Sequence, residues 1–192
     1  MINYPFSLKD NVNKNINNKN KGMFLEDVIN NTNEYYRLNN IALIYKKPTP
    51  IQIVKLSTDK KYIEKAFFKE KSTTDYNGIY KGKYIDFEAK ETKLKSSFPL
   101  NNIHEHQIRH LNQISKHGGI GFIIVRFTTL NETYLLRNED LFNFLKNSKR
   151  KSIPLSYFKE YGFLIKDKYC PRVDYLSIVD KLLEGDKYEK NY

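Results

Sequence analysis

The chain has 192 residues, 40% of them hydrophobic, which is enough for one compact unit with a sizeable core. Its formal charge of +11 draws it to polyanions, either nucleic acid or an anionic membrane surface, although a coding bias toward Lys and Asn produces the same charge. A single cysteine, Cys170, excludes an internal disulfide and any Cys-based zinc cluster, and no run approaches the roughly 18 apolar residues of a membrane span.

Met1 to Asp10 holds no apolar run of signal-peptide length, so a reducing, cytoplasmic setting is expected, with Cys170 buried. Residues 1–21 read as a flexible basic arm, because Asn11 to Gly22 (NVNKNINNKNKG) carries six Asn and three Lys and cannot bury a core. From Met23 to Leu38 the apolar residues follow helical spacing, and Asn39-Asn40 ends the helix. Ile41 to Tyr45 (IALIY) is a short apolar strand, stopped by Pro48 and Pro50. Ile51 to Leu56 and Tyr62 to Phe68 are strand-like and joined by the polar link Ser57 to Lys61. Lysines are too dense here for a pair buried on both faces, so a β-hairpin stalk inserted at about 47–71 is expected to project from the body. Phe67 and Phe68 are candidates to stack on bases at its tip, or for one of them to join the core.

Thr73 to Tyr80 and Lys83 to Glu91 form a second strand pair, turning at Lys81-Gly82. A helix from Ile103 to Lys116 ends at His117-Gly118-Gly119, and Gly121 to Phe127 and Thr133 to Leu136 are further strands. Asn138 is expected to cap a helix running to Lys146, and a last helix spans Asp174 to Leu183. The order describes an α/β fold over residues 22–184, a mixed sheet flanked by helices, with 185–192 as a tail.

The chemistry concentrates between Thr73 and Lys90. Alternation along a strand puts Ile85, Phe87 and Ala89 on one face and Asp86, Glu88 and Lys90 on the other. If the Lys81-Gly82 turn pairs the strands, Asp75 comes near Glu88 and Lys90. Two hard oxygen ligands suit Mg²⁺, which acidifies water and offsets charge on a phosphate, while a neighbouring lysine steadies the transition state. A bare Glu-x-Lys is also an ordinary surface salt-bridge ladder in a chain with 29% charged residues. Gln107 shares a helix face with Ile103, Leu111 and Ile114, so it either bonds a nearby backbone group or reaches the metal site. His106 and His110 have the i, i+4 spacing of zinc helices, but lack the Glu and Cys that would complete such a site. They, with His104, are expected to face solvent or phosphate, and Asp86 and Glu26 to stand behind the metal ligands. No Gly-rich phosphate loop is present, so no nucleotide cofactor is expected.

At these residues the chain resembles the RecU-type Holliday junction resolvases, a branch of the PD-(D/E)xK nuclease superfamily. The resemblance runs from about Gly22 to Asp174 and includes KKPTP at 46–50, STTDYNGIYKGKYIDFEAKET at 72–92, SFPL at 97–100 and HEHQI at 104–108. It implies a restriction-endonuclease-like fold and a homodimer that nicks four-way DNA junctions symmetrically, with Mg²⁺ or Mn²⁺, in recombination and repair. It also implies that Thr73, Asp75, Glu88 and Gln107 form the metal site, that Lys90 is the transition-state lysine and that the hairpin enters the junction. A recombinase is an implied partner. Two other readings are a duplex-cutting nuclease of the same superfamily and a non-catalytic junction-binding or recombinase-modulating protein. The basic arm and the region 145–170 depart from the family pattern.

Overall fold

A computed structural model describes residues 25–59, 61–69 and 73–184; the expected arm (1–21) and tail (185–192) lie outside the described residues. Helix α1 (Leu25–Leu38) buries Leu25, Val28, Ile29, Thr32, Asn33 and Tyr36, the single stripe that helical spacing dictates. The Leu25 N–H at its start donates to Glu91 Oε1 at 2.7 Å, so a strand carboxylate satisfies one of the helix's orphan donors. The chain continues through β1 (Leu43–Lys46), β2 (Ile51–Leu56), β3 (Ile63–Phe68), β4 (Tyr76–Tyr80), β5 (Lys83–Thr92) and β6 (Ser97–Pro99). Next come α2 (Glu105–Lys116), β7 (Ile120–Phe127), β8 (Glu132–Arg137) and α3 (Asn138–Asn147). It ends in β9 (Ser152–Pro154), α4 (Leu155–Tyr161), β10 (Phe163–Ile165) and α5 (Leu176–Leu183).

Six strands form one mixed sheet in the order β1-β4-β5-β7-β8-β10. Only β5 and β7 run parallel within it, because α2 supplies the long crossover that a parallel pair requires. Between β4 and β5, Lys81 and Gly82 both take positive φ (47° and 74°), the two-residue turn that suits a twisted hairpin. This turn sets Tyr80 opposite Lys83 and so Tyr76 opposite Phe87. Tyr76, Phe87 and Phe122 then stack across three strands, with centroids 4.9 and 4.8 Å apart. One face of the sheet packs Ile85, Phe87, Phe122, Ile124 and Leu135 against α1 and α5. The other packs Ile123, Val125, Phe127 and Leu136 against α2, α3 and α4. The expected mixed sheet between helices is thus present.

The segment after Pro50 is a separate two-stranded hairpin, β2 with β3, in which nearly every residue is exposed. Ser57 organises the tip: it is buried, and its Oγ accepts from the main-chain N–H of Lys61 (3.1 Å) and Tyr62 (3.2 Å). Phe67 and Phe68 lie elsewhere than expected. Phe68 pairs with Ile51 at the base of the hairpin, and both phenylalanines are exposed, so neither crowns the tip nor fills the core. Tyr62 is the exposed aromatic next to the tip.

Other differences have local causes. Residues Thr73 to Asp75 precede β4 rather than extending it, and the ladder starts at Tyr76. Helix α3 begins at Asn138 itself, whose buried side chain donates to Ser115 Oγ (3.3 Å) instead of capping the helix. Cys170 is exposed, not buried, beside a cis peptide to Pro171. The short elements β6, β9, α4 and β10 have no counterpart in the sequence reading, because three-residue strands carry no period and the 7 residues of α4 make only about two turns. No helix among the described residues is long and apolar enough to cross a membrane.

Gly78 shows how closely β1 and β4 approach. A Cβ there would lie 2.0 Å from the Leu43 carbonyl oxygen and 2.6 Å from Ile44 Cα. Gly78→Ala should therefore lower stability by about 1–3 kcal/mol or more, measured as a shift in the urea midpoint at constant slope.

Candidate active site

Strand β5 is buried on both faces from Ile85 to Ala89, so its polar alternates carry charge into the protein. Asp86 and Glu88 are both fully buried. A carboxylate in that position is costly unless charges and donors surround it. Around Glu88 they come from Asp75 and Lys90. The Asp75 main-chain N–H donates to Glu88 Oε2 at 3.0 Å, and Asp75 Oδ2 accepts from the Ala89 N–H at 3.2 Å. Asp75 thus docks on β5 through its own backbone and side chain, although it lies outside the ladder. Lys90 Nζ is in ion-pair contact with Glu88 Oε1 and lies 3.8 Å from Asp75 Oδ2. Asp75 (21% exposed) and Lys90 (27%) form the open side of the cluster, with Glu88 behind them.

Burial, and next the charge of Asp75, push the Glu88 carboxyl up to about 7, against the pull of Lys90. Burial works against the Lys90 charge as well, but Glu88, Asp75 and Glu26 outweigh it and its pKa is raised. The cluster therefore holds two acids that compete for one lysine. Glu88 Oε1 is buried against that ammonium, its ion-pair partner. A buried carboxylate whose charge is opposed by burial and by a second acid fits a divalent cation. Both donors are hard oxygens, as Mg²⁺ prefers. No group of three His, Cys, Asp or Glu converges among the described residues, so any protein donor beyond the two carboxylates would be a neutral oxygen, with water or phosphate in the remaining positions, as at Mg²⁺ sites generally.

The other sequence candidates fall around this centre. Thr73 Oγ1 accepts from Lys47 Nζ at 3.1 Å. Gln107 is buried on α2, and its Oε1 accepts from the His104 N–H at 2.9 Å, the local backbone bond that was one of its two expected uses. His104 and His106 stack on each other, whereas His110 Nε2 reaches Asp86 Oδ2 at 3.1 Å. Glu26 pairs with Lys46. Asp86 has a shell of its own: Lys47 Nζ (2.7 Å), Tyr84 Oη (3.0 Å), Thr74 Oγ1 and His110. Lys47 and Thr74 were not singled out by sequence reasoning. Lys47 was counted among the stalk lysines, and nothing in its spacing signals an inward turn.

Two acids and a lysine, gathered on and beside the central strand β5 of a mixed sheet in so basic a chain, are the groups that metal-assisted phosphodiester hydrolysis needs. A family model described as "RecU: Recombination protein U" matches residues 20–181. The chain belongs to the RecU family. It is 56% identical over 169 residues to the Holliday junction resolvase RecU of Geobacillus sp. (strain WCH70), covering 85% of this chain and 84% of the relative. It is 47% identical over 195 residues to that of Streptococcus gordonii (strain Challis), covering 96% and 98%. A solved structure of Archaeoglobus fulgidus Hjc, a Holliday junction resolvase from an archaeal hyperthermophile, overlaps 67% of this chain and 86% of its own at a TM-score of 0.41 and 10% identity. So loose an overlap bears on neither site nor reaction.

The displaced Glu88 carboxyl has a measurable consequence. Between about 4.5 and about 7 the metal-free folded protein keeps a proton on Glu88 that the unfolded chain gives up, so stability falls as pH rises through that window. A loss on the order of 3 kcal/mol is expected in EDTA. Urea midpoints across that range should show it, and Glu88→Gln, which cannot ionise, should flatten the slope.

Proposed function

We propose that this chain is a Holliday junction resolvase, a Mg²⁺-dependent endonuclease that works as a homodimer and makes paired, symmetric nicks in four-way DNA junctions. The observation that carries this reading is the Asp75–Glu88–Lys90 cluster, within a chain so similar to relatives named as resolvases. Two-fold symmetry would give one such cluster to each of two opposed strands, which matches the symmetry of a junction.

Asp75 and Glu88 would hold the ion, each already facing the Lys90 ammonium. When bound, a divalent ion supplies a Lewis acid that makes water a nucleophile near neutral pH and offsets charge building on the phosphate. Lys90 keeps its proton and places an ammonium at the open side of the cluster, where it can orient the attacking water or steady the developing charge. Asp75 receives the Ala89 N–H and gives its own N–H to Glu88, so the two acids orient each other. Without a bound cation the acids would repel DNA phosphate, which speaks against a purely structural junction binder. Mn²⁺, equally hard and of similar size, should substitute.

The hairpin provides the structure-selective element in this reading. Ile53, Val54, Leu56 and Tyr62 are exposed apolar groups on a segment studded with lysine. Such a surface suits the open centre of a junction, where bases are less shielded than in a duplex.

Cleavage of a labelled four-way junction beside a matched duplex, with Mg²⁺ and with EDTA, tests the proposal. Symmetric cuts confined to the junction and lost in EDTA are expected; equal cutting of both substrates would instead mark a general nuclease, and binding with no cutting a structural protein. Asp75→Asn and Glu88→Gln should abolish cutting while sparing junction affinity, and Lys90→Ala should slow it about 10²- to 10³-fold. Deleting residues 57–61 should weaken junction binding more than duplex binding in a gel-shift titration.

A further inference from the structure

The base of the hairpin and the acid cluster share one side chain. Lys47 stands where the chain leaves β1 for the stalk, immediately before Pro48. Its main-chain N–H donates to the Asp75 carbonyl at 2.8 Å. Its side chain is 14% exposed, and its ammonium turns inward to Asp86 Oδ2 (2.7 Å), Thr74 Oγ1 (2.6 Å) and Thr73 Oγ1 (3.1 Å). An ammonium has three protons, and these three acceptors match them. One residue therefore grips both neighbours that precede Asp75, the Asp75 carbonyl, and the buried acid two places before Glu88.

Asp75 depends on such a grip. It lies ahead of β4, and it meets β5 through single contacts with Glu88, Ala89 and Lys90 rather than through a ladder. The threonines beside it are tied to β5 through Asp86, to which Thr74 also donates. A lysine serving as a phosphate contact would keep its ammonium in solvent, on a flexible stem. Lys47 does the reverse.

We propose that Lys47 is a positioning residue for the acid pair, setting Asp75 against Glu88 from the root of the stalk without touching DNA. This rests on the reading above of Asp75 and Glu88 as the holders of the metal. Simple electrostatics predicts the opposite outcome for a variant: removing a positive charge near two carboxylates should tighten a cation. Positioning predicts that the cation is bound less well.

The test is Mn²⁺ titration of the full-length protein without DNA, followed by the free-ion paramagnetic resonance signal, alongside junction affinity in EDTA. Lys47→Met should weaken Mn²⁺ binding about 10- to 100-fold, the range typical of groups that orient metal ligands. Lys47→Arg should recover part of that loss, and junction affinity and its salt dependence should stay at the wild-type level. Because Lys47→Met takes the lysine counter-charge from the buried Asp86, Lys47→Met/Asp86→Asn removes both charges together. A folded double variant that still binds Mn²⁺ weakly supports positioning; one with wild-type affinity overturns it. Unchanged or tighter Mn²⁺ binding in Lys47→Met, with weaker junction binding and a shallower salt slope, would make Lys47 a phosphate contact instead. Should the wild type take up no Mn²⁺, or Asp75→Asn bind it equally well, the metal-site reading fails and this inference fails with it.

Discussion

Two carboxylates buried on one strand govern this structure. Asp86 and Glu88 point from β5 into a region that the flanking helix and strands close off, and both are fully buried. Leaving either charge unpaired there would cost more than most single core contacts return. Much of the surrounding architecture supplies their partners. Asp86 draws in Lys47 from the chain after β1, Thr74 from before β4, Tyr84 from its own strand and His110 from α2. Glu88 is left with the Asp75 N–H and a lysine that it shares with a second acid. Four side chains surround the first acid, whereas the second shares its ammonium with Asp75.

The opposite face of β5 makes this arrangement affordable. Ile85, Phe87 and Ala89 join a continuous core with α1 and α5, anchored by the stacked rings of Tyr76, Phe87 and Phe122. Apolar burial on that face holds the strand rigidly enough to present charges on the other. Glu91, one residue beyond Lys90, turns back to receive the first N–H of α1, so the helix is tied to the strand that carries the site. The hairpin, by contrast, has no core of its own. A two-stranded ribbon this exposed is marginal by itself and depends on its root for orientation. At that root Lys47 couples it to Asp75.

Much of this was legible before the fold was known. Alternation at Ile85–Lys90 assigned the faces of β5 correctly, and the Lys81-Gly82 turn brought Asp75 toward Glu88 because a two-residue turn leaves a single register. The long apolar run GFIIVRF read as a strand and is one buried on both sides. Other features left no local trace. Three-residue strands have no periodicity, so β6, β9 and β10 were invisible. Phe67 and Phe68 close the second strand, so the link at Ser57 to Lys61 already put them at the base, and only their exposure needed the structure. An exposed Cys170 and a buried one are written identically.

The amino-acid sequence by itself determined the secondary elements long enough to carry a period, the central strand's two faces, the projecting hairpin and the identity of the acids and lysine. These follow from local geometry, from side-chain alternation and turn chemistry that act within a dozen residues. Only the tertiary structure decided what surrounds each charge. Asp86 and Glu88 have different partners because of groups that arrive from the chain after β1, from α2 and from the segment before β4, up to 39 residues away along the chain. Lys47 turns inward for the same reason: its acceptors exist only once those distant segments have packed together. Solvation of a charge is a property of the assembled surroundings, and no spacing in the chain encodes it.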